Sequence, residues 1–144
     1  MITVYIDTSV IVNSFFVDET DSVFSIRLME YISEALCFGI TSEYTLLEVA
    51  CAVSRITGDS DSAKDFVREL RSYPNLSIQP FSPIVLDKAF KIAYECRLRA
   101  GDAIQVSSAL LEDIDYFVFH DVDFTRAKNL LTLKTPKEVV KIIG

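Results

Sequence analysis

Apolar positions fall into short unbroken runs that are separated by longer stretches with helical spacing. The run Ile2–Ile6 is β-branched and aromatic, is too short for a stable helix and stops at Asp7. This pattern predicts a strand that is buried on both faces. The run Tyr116–His120 has the same character and stops at Asp121. Further short strands are predicted over 76–80 and 131–135, and another over 37–40 that ends at Thr41-Ser42.

The stretches between these runs place apolar residues three or four positions apart, which predicts helices. The clearest begins at Pro83, a favoured first helical position, and carries an apolar stripe that includes Val85, Ala89 and Ile92. Another is opened by the acidic run 18–21 and continues to about Leu36. The remaining helices are predicted over 9–16, 43–56, 59–73, 102–113, 124–130 and from 136 onward.

Alternation of helices with apolar strands predicts an α/β protein, specifically a three-layer α/β/α arrangement with a mainly parallel central sheet. The chain has 144 residues, an amount typical of one domain, so residues 1–144 are expected to form a single domain. Functional sites in such folds form beyond the carboxyl ends of the strands, where the strand order reverses. Catalytic or ligand-binding residues are therefore expected at that edge of the sheet.

Composition adds three expectations. No apolar run approaches the ~20 residues of a membrane helix, and no secretory leader is visible, so a cytoplasmic location is expected. Cys37, Cys51 and Cys96 have neither zinc-type nor disulfide-framework spacing, which favours small buried thiols. The net charge of −7 counts against polyanion binding. That objection weakens if several of the acids converge on a divalent ion.

Three aspartates are candidates for such convergence. Asp7 and Asp121 each follow a predicted strand directly, and Asp102 opens a predicted helix after Gly101. Each also has a structural interpretation, because an aspartate between a strand and a helix is a natural N-cap. For Asp102, Gln105 three residues later gives the pattern of a capping box. The two roles are compatible, since a capping carboxylate keeps other lone pairs free.

Glu48 is the most informative acid because it interrupts an otherwise apolar helical segment over 46–53. By helical angle it lies with Tyr44, Cys51 and Arg55, and an all-apolar helix is expected to be buried all round. A lone carboxylate there costs several kcal/mol unless it is paired or binds a metal. An ion pair with Arg55 and a narrow solvent-facing strip are the alternatives.

Taken together, four clustered carboxylates repel one another and favour a bound cation. Oxygen-only ligation suits Mg²⁺ or Mn²⁺ rather than zinc, and such ions support hydrolysis of phosphodiesters. No triad order, Walker loop or dinucleotide-binding fingerprint indicates another chemistry. Aspartyl-phosphate phosphatases and receiver domains need a second acid after the first strand, which Asp7-Thr8-Ser9 lacks.

Four acidic motifs follow one another along the chain: Ile6-Asp7-Thr8-Ser9, Glu48, Gly101-Asp102-Ala103 and Asp121-Val122-Asp123-Phe124. Their order and spacing over essentially the whole chain resemble those of a PIN domain, in particular the small prokaryotic VapC-type toxins of toxin–antitoxin pairs. The resemblance implies an α/β/α fold and a metal-dependent endoribonuclease with Mg²⁺ or Mn²⁺ as cofactor. It also implies an RNA substrate, a homodimer and a small antitoxin protein as partner.

The resemblance assigns roles to individual residues. Those in the catalytic and metal-binding quartet are Asp7, Glu48, Asp102 and Asp121, and those in supporting positions are Ser9 and Asp123. The alternative to a nuclease is a PIN-like module whose site is inactive and which binds protein or RNA. Drift would soon replace unsupported clustered acids, so an intact quartet argues against this alternative.

Two features depart from the family pattern. The fourth acid is preceded by Phe119 and His120, where the family often has Thr or Ser. His120 is interpreted as a groove-edge residue or a satisfied polar group. Basic residues are few. Those near the predicted edge have two interpretations, which are binding of phosphate groups and a solvent-exposed charged face. These basic residues are Arg97, Arg99, Arg126 and Lys128.

Overall fold

The computed structural model describes residues 1–17, 20 and 22–144 and contains a five-stranded parallel sheet. Its strands are β1 (Thr3–Ile6), β2 (Phe38–Ser42), β3 (Leu76–Gln79), β4 (Tyr116–Val118) and β5 (Leu133–Lys134). The spatial order is β3-β2-β1-β4-β5, and every neighbouring pair is parallel. The helices in the described ranges are α1 (Thr8–Phe16), α2 (Ser22–Ser33), α3 (Glu43–Thr57), α4 (Ser60–Arg71), α5 (Pro83–Cys96), α6 (Ala100–Leu110) and α7 (Pro136–Ile143).

The sheet is covered on both faces, as the apolar strands predict. Successive side chains of a strand point to opposite faces, so Val4 and Ile6 of β1 pack with α1–α4 and α7, whereas Tyr5 packs with α5 and α6. The Tyr5 ring stacks on Phe117 of β4, with the ring centroids 5.4 Å apart. The three-layer α/β/α prediction is therefore confirmed.

Some boundaries differ from the predictions for local reasons. Helix α2 ends at Ser33 rather than Leu36, because Ala35 has a φ of 60° and the Leu36 N–H donates to the carbonyl of Tyr31. The acids predicted to open this helix, at positions 18, 19 and 21, lie outside the described residues. A short 3₁₀ helix over Val122–Ala127 occurs where an α-helix over 124–130 was predicted.

Strand β2 ends at Ser42, as the sequence pattern predicts. The hydroxyl of Thr41 donates to the carbonyl of Ile6 at 2.8 Å, which ties the end of β2 to the end of β1. Ser42 then acts as the N-cap of α3, since its Oγ accepts from the Thr45 N–H at 3.2 Å. The first residues of α3 are thereby fixed against the carboxyl end of β1.

Two expectations from composition have different outcomes. The expectation of buried thiols holds for Cys37, but Cys51 is exposed and Cys96 is half-buried, so it is wrong for these two. Cys51 is exposed because it shares the open face of α3 with Glu48. Within the described ranges, no helix has both the length and the apolar character needed to cross a membrane.

The chain runs from β1 to β2 and β3 on one side of the sheet and places β4 and β5 on the other. The strand order therefore reverses between β1 and β4, and a crevice forms beyond their carboxyl ends. Asp7 follows β1 directly, and Asp121 lies three residues beyond the end of β4. The fold thus brings these two segments to one edge of the sheet.

Candidate metal and active site

Asp7 lies at the centre of this edge with its side chain buried, at 4% exposure. It occupies the N-cap position of α1, but its carboxylate makes no capping hydrogen bond, so the N-cap interpretation of its side chain is wrong. Instead, the Ser9 hydroxyl lies 2.9 Å from both carboxylate oxygens. The side chain is therefore held in place while serving no structural cap.

The environment of Asp7 favours its protonated form. Burial raises the pKa of this carboxyl to about 7, the hydrogen bonds from Ser9 oppose the shift, and the negative charges of Glu48 and Asp102 add to it. A carboxylate kept near two others in a desolvated place is unstable in its charged form without a cation. This position therefore bears an electrostatic cost that a bound metal would offset.

Glu48 points toward the same edge from α3. Its Oε1 accepts hydrogen bonds from Thr8 Oγ1 and Gln105 Nε2, each at 2.7 Å. No ion pair joins it to Arg55 among the described residues, although both line one cavity along α3. The expectation that α3 is buried all round is wrong, since Leu47 is 60% exposed. Glu48 is thus a half-buried carboxylate at the border of core and solvent.

Glu48 also packs closely against the start of α6. A Cβ built on Gly101 would lie 3.3 Å from Glu48 Oε2 and 3.0 Å from the Tyr44 hydroxyl oxygen. Any larger residue at Gly101 would therefore push into the space that the Glu48 carboxylate occupies. This close approach places the free oxygen of Glu48 next to the turn that carries Asp102.

Asp102 lies in the first turn of α6 and is half-buried. The helix begins at Ala100 with Arg99 as N-cap, so the predicted capping box of Asp102 and Gln105 is wrong. The carboxyl pKa of Asp102 is raised by burial first, then by the charges of Asp121 and Glu48, while Arg99 opposes the shift. Like Asp7, this carboxylate lies in a negative environment.

Asp121 and Asp123 occupy the exposed rim. The N-cap interpretation of Asp121 is confirmed, because its Oδ1 accepts from the Asp123 N–H at 2.9 Å and caps the 3₁₀ helix. The Asp123 carboxylate lies between two guanidinium groups, at 3.9 Å from Arg99 and 3.7 Å from Arg126. Asp123 therefore offsets one of the two positive charges that Arg99 and Arg126 bring to the rim.

The predicted acids share one electrostatic neighbourhood. The charges of Glu48 and Asp102 act on Asp7, and those of Asp121, Glu48 and Asp123 act on Asp102. Over residues 1–17, 20 and 22–144, however, no three acidic, histidine or cysteine side chains lie close enough to form a finished metal-binding cluster. The carboxylates are neighbours whose oxygens need to approach further before they share an ion.

The sequence analysis assigned Gln105 only to a cap, but its side chain lies at the centre of a buried network. Its Oε1 accepts from the hydroxyls of Tyr5 at 2.7 Å and Thr45 at 3.0 Å. Its Nε2 donates to Glu48 Oε1 at 2.7 Å and to Thr8 Oγ1 at 3.1 Å. The amide is 1% exposed and satisfies a carboxylate and three hydroxyls at once.

A signal for Gln105 exists in the sequence. It is a polar residue in a helix whose neighbouring positions, such as Ala103 and Val106, are apolar. Such a residue on a buried face needs partners. Those partners come from β1, α1 and α3, and no local pattern reveals which strands and helices will surround it.

His120 and the basic residues lie at the rim. The His120 ring is exposed, and its Nε2 lies 2.7 Å from the Ser25 hydroxyl oxygen, which confirms the interpretation as a satisfied polar group. Phe119 is buried and packs edge-on against Phe124 instead of facing the acids. Arg126 donates to the carbonyl of Arg97 at 3.1 Å, so its guanidinium is partly committed to the fold.

The donor set fits a hard divalent cation. The groups at this edge are carboxylates and hydroxyls, and the exposed Cys51 lies further along α3. Mg²⁺ and Mn²⁺ prefer such oxygen ligands. The negative charges of neighbouring acids add to the effect of burial on the carboxyl pKa values of Asp7 and Asp102, and these charges favour a cation here.

The protein is a small domain with a parallel α/β/α fold and acidic side chains near the point where the strand order reverses. Comparison with known families identifies the family to which such a domain belongs. The family model for the PIN domain matches residues 4–130. The chain therefore belongs to the PIN domain family. No curated protein matches its sequence.

Solved structures share the fold at low sequence identity. VapBC2 from Rickettsia felis, bound to a DNA fragment from its promoter, matches with a TM-score of 0.70 and 17% identity over 93% of this chain and 98% of that chain. VapC20 from Mycobacterium tuberculosis, a sarcin-ricin loop cleaving toxin, matches with a TM-score of 0.71 and 16% identity over 86% of this chain and 94% of that chain. FitAcB from Neisseria gonorrhoeae matches with a TM-score of 0.68 and 16% identity over 93% of this chain and 98% of that chain.

The first prediction concerns the pH dependence of stability in EDTA. The native state keeps a proton on Asp7 up to about pH 7, whereas the unfolded chain releases it near the ordinary pKa of about 4. The protonated Asp7 therefore stabilises the folded state fully below about pH 4, and this stabilisation is lost as the pH rises to about 7. Asp7→Asn removes that loss, so calorimetry should give the variant a higher Tm than the wild type at pH 8, with the difference shrinking toward pH 5.

A lower Tm for Asp7→Asn than for the wild type at pH 8 would contradict this account of Asp7. A Tm increase of the same size at pH 5 and pH 8 would contradict it as well. Asp65→Asn is the matched control, because Asp65 is exposed on α4 and forms only a surface ion pair with Arg68. Its Tm difference should be small at both pH values.

The second prediction concerns Gln105. Gln105→Met keeps the length of the side chain but leaves Glu48 and the Tyr5 hydroxyl without this partner, and should cost about 1–3 kcal/mol of stability. Because Glu48 also loses its orientation, the rise in Tm on adding Mn²⁺ should be smaller than in the wild type. Gln79→Met is the control, since Gln79 is likewise buried but bonds to Ser108 and Glu112. Equal Mn²⁺-induced shifts in the two variants would show that Gln105 has only a structural role.

Proposed function

We propose that this chain is a metal-dependent endoribonuclease that hydrolyses RNA phosphodiester bonds with Mg²⁺ or Mn²⁺, and that it is the toxin of a toxin–antitoxin pair. In this proposal residues 1–144 form a single PIN domain that acts in the cytoplasm. The observation that carries it is the set of neighbouring carboxylates that different elements bring to the switch-point edge, two of which have raised pKa values. Membership of the PIN family and the likeness to VapC20 support it.

The proposed ligands and catalytic residues are Asp7, Glu48, Asp102 and Asp121. When bound, a divalent ion supplies polarisation of water and of the phosphodiester oxygens, the chemistry that phosphodiester hydrolysis requires. The role of the protein is to hold the carboxylate oxygens of these four residues at one place. Four carboxylates drawn from segments far apart in sequence can approach one another only because the folded sheet fixes their backbones.

Orientation of the ligands depends on neutral side chains. Ser9 contacts both oxygens of Asp7, and Thr8 and Gln105 together occupy one oxygen of Glu48. This leaves Oε2 of Glu48 for the site. Such preorganisation reduces the ordering that ligand binding must otherwise impose. In the proposal, Ser9 supports the site by holding Asp7 rather than by touching RNA.

Asp123 supports the site from the rim and is not one of the proposed ligands. Its ion pairs with Arg99 and Arg126 hold two guanidinium groups at the rim beside Asp121. Arginine pairs well with phosphate oxygens. The rim therefore offers an RNA backbone positive charge next to an otherwise acidic site, which answers the objection raised by the net charge of −7.

An antitoxin is the proposed protein partner. Several of the structures with this fold are toxin–antitoxin complexes, among them VapBC-1 from nontypeable Haemophilus influenzae and a complex from Klebsiella pneumoniae. Such a partner is expected to be a small protein that reduces RNA cleavage when added to this chain. A small protein encoded beside this one that binds it without reducing cleavage would contradict this part of the proposal.

A homodimer is proposed on the basis of α5. Phe90 and Tyr94 lie one turn apart on its outer face, are 55% and 77% exposed, and have ring centroids 6.4 Å apart. Leu86 extends the stripe, and a cavity between α5 and α6 lined by apolar residues lies beside it. Exposed apolar surface of this kind is typical of protein–protein interfaces.

The third prediction tests the activity. The wild-type chain should cleave single-stranded RNA in Mg²⁺ or Mn²⁺, EDTA should abolish cleavage, and Asp7→Asn and Asp102→Asn should each lower the rate at least about 100-fold with circular dichroism unchanged. Asp65→Asn should cleave as the wild type does. Cleavage by either site variant at the wild-type rate would refute these ligands. RNA binding without cleavage by the wild type would favour the inactive-module alternative.

The fourth prediction tests the dimer. Sedimentation velocity at micromolar concentration should give a dimer for the wild type and a monomer for Phe90→Glu, because a carboxylate on the apolar stripe cannot be desolvated cheaply. Lys88→Glu changes an exposed residue of the same helix outside the stripe and should leave the dimer intact. A wild-type monomer at this concentration would contradict the proposal.

A further inference from the structure

A second cavity adjoins the segment that carries Asp121. Its volume is about 370 Å³, within the range of small-ligand sites. Residues that line it come from α2, the segment after β4 and the start of α7, and they are Phe24, His120, Thr135, Pro136 and Lys137. Because His120 immediately precedes Asp121, this cavity begins one residue from the proposed site.

The walls of this cavity combine an aromatic ring with a cation. Lys137 Nζ lies 5.4 Å from the centroid of the Phe24 ring. On the adjoining wall, His120 Nε2 lies 2.7 Å from the hydroxyl oxygen of Ser25, a fully buried residue of α2. One wall therefore has an aromatic face and an exposed ammonium group, and the other is anchored to the core.

Basic residues outnumber acidic ones in the part of the chain that follows β4. From His120 to Gly144 there are five basic residues against three acidic ones, although the whole chain has a net charge of −7. The basic residues are Arg126, Lys128, Lys134, Lys137 and Lys141. Of these, Lys137 lines the cavity and brings a positive charge to it.

Each cavity includes or adjoins one of the proposed ligands. The one along α3 has a volume of about 360 Å³ and includes Thr8 and Glu48, whereas the other includes His120 beside Asp121. A polymer bound at Asp121 therefore lies next to the cavity at His120. Of these two cavities, the one at His120 pairs an aromatic ring with a lysine ammonium.

We propose that the cavity of Phe24, His120 and Lys137 is a nucleotide subsite that binds the residue next to the scissile phosphate of a single-stranded RNA. A nucleobase stacks on Phe24, since base–aromatic stacking is the usual way that proteins hold unpaired bases. The Lys137 ammonium moves from the ring to the adjoining phosphate. The inference rests on the proposed nuclease function and adds to it where the substrate strand lies.

The fifth prediction tests this subsite with a short fluorescein-labelled single-stranded RNA of mixed sequence, measured by anisotropy in Mg²⁺. The Asp102→Asn background is used so that the RNA is not cut. Phe24→Ala and Lys137→Gln should each raise the Kd about fivefold or more. Val23→Ala and Lys141→Gln are matched controls on the same helices, outside the cavity, and should change it less than about twofold. Lys137 is exposed, so this variant remains informative if Phe24→Ala unfolds.

The outcomes separate the subsite from the nuclease. Unchanged affinities in both cavity variants would overturn the subsite, while RNA cleavage by the wild type would still support the nuclease. Loss of affinity in the cavity variants without any wild-type cleavage would keep the subsite as an RNA-binding site and overturn the nuclease. Unchanged affinities without cleavage would overturn both, and would leave a protein partner as the occupant of the cavity.

Discussion

Burial of carboxyl groups at the end of a parallel sheet, together with their mutual repulsion, is the constraint on which the rest of this structure depends. Asp7 is fixed there because β1 lies at the centre of the sheet and its carboxyl end adjoins that of β4. Burial and the neighbouring charges raise the carboxyl pKa of Asp7 to about 7. A fold that needed only stability would favour an apolar residue at this position. A buried carboxyl group here is the feature that the proposed cation site explains.

The buried polar network of Gln105 links that site to the core. One amide connects the Tyr5 hydroxyl of β1 to the Glu48 carboxylate of α3, so the position of a site residue depends directly on the packing of the sheet. Burial raises the pKa of the Tyr5 hydroxyl to about 12, and this group stays neutral as a donor. Basic residues also lie in this part of the chain, in β5 and α7, and they are Lys134, Lys137 and Lys141.

Much of the fold was predictable because it depends on local patterns. Apolar runs gave all five strands, and the helical angle of Glu48 correctly grouped it with Tyr44, Cys51 and Arg55 around one cavity. The errors arose where the structure is determined by contacts between residues that are far apart in the sequence. Helix α6 starts at Ala100, two residues before the predicted start at residue 102, with Arg99 as its N-cap. The role of Gln105 was missed because its partners Tyr5 and Thr45 are 100 and 60 positions away.

The central claim is that the switch-point carboxylates form a cation site, and isothermal titration calorimetry with Mn²⁺ tests it most directly. The wild-type chain should bind Mn²⁺ saturably, and Glu48→Gln should weaken binding far more than Arg55→Gln, because Glu48 lies at the site and Arg55 is not paired with it. Absence of binding by the wild type, or a larger loss in Arg55→Gln than in Glu48→Gln, would contradict the account.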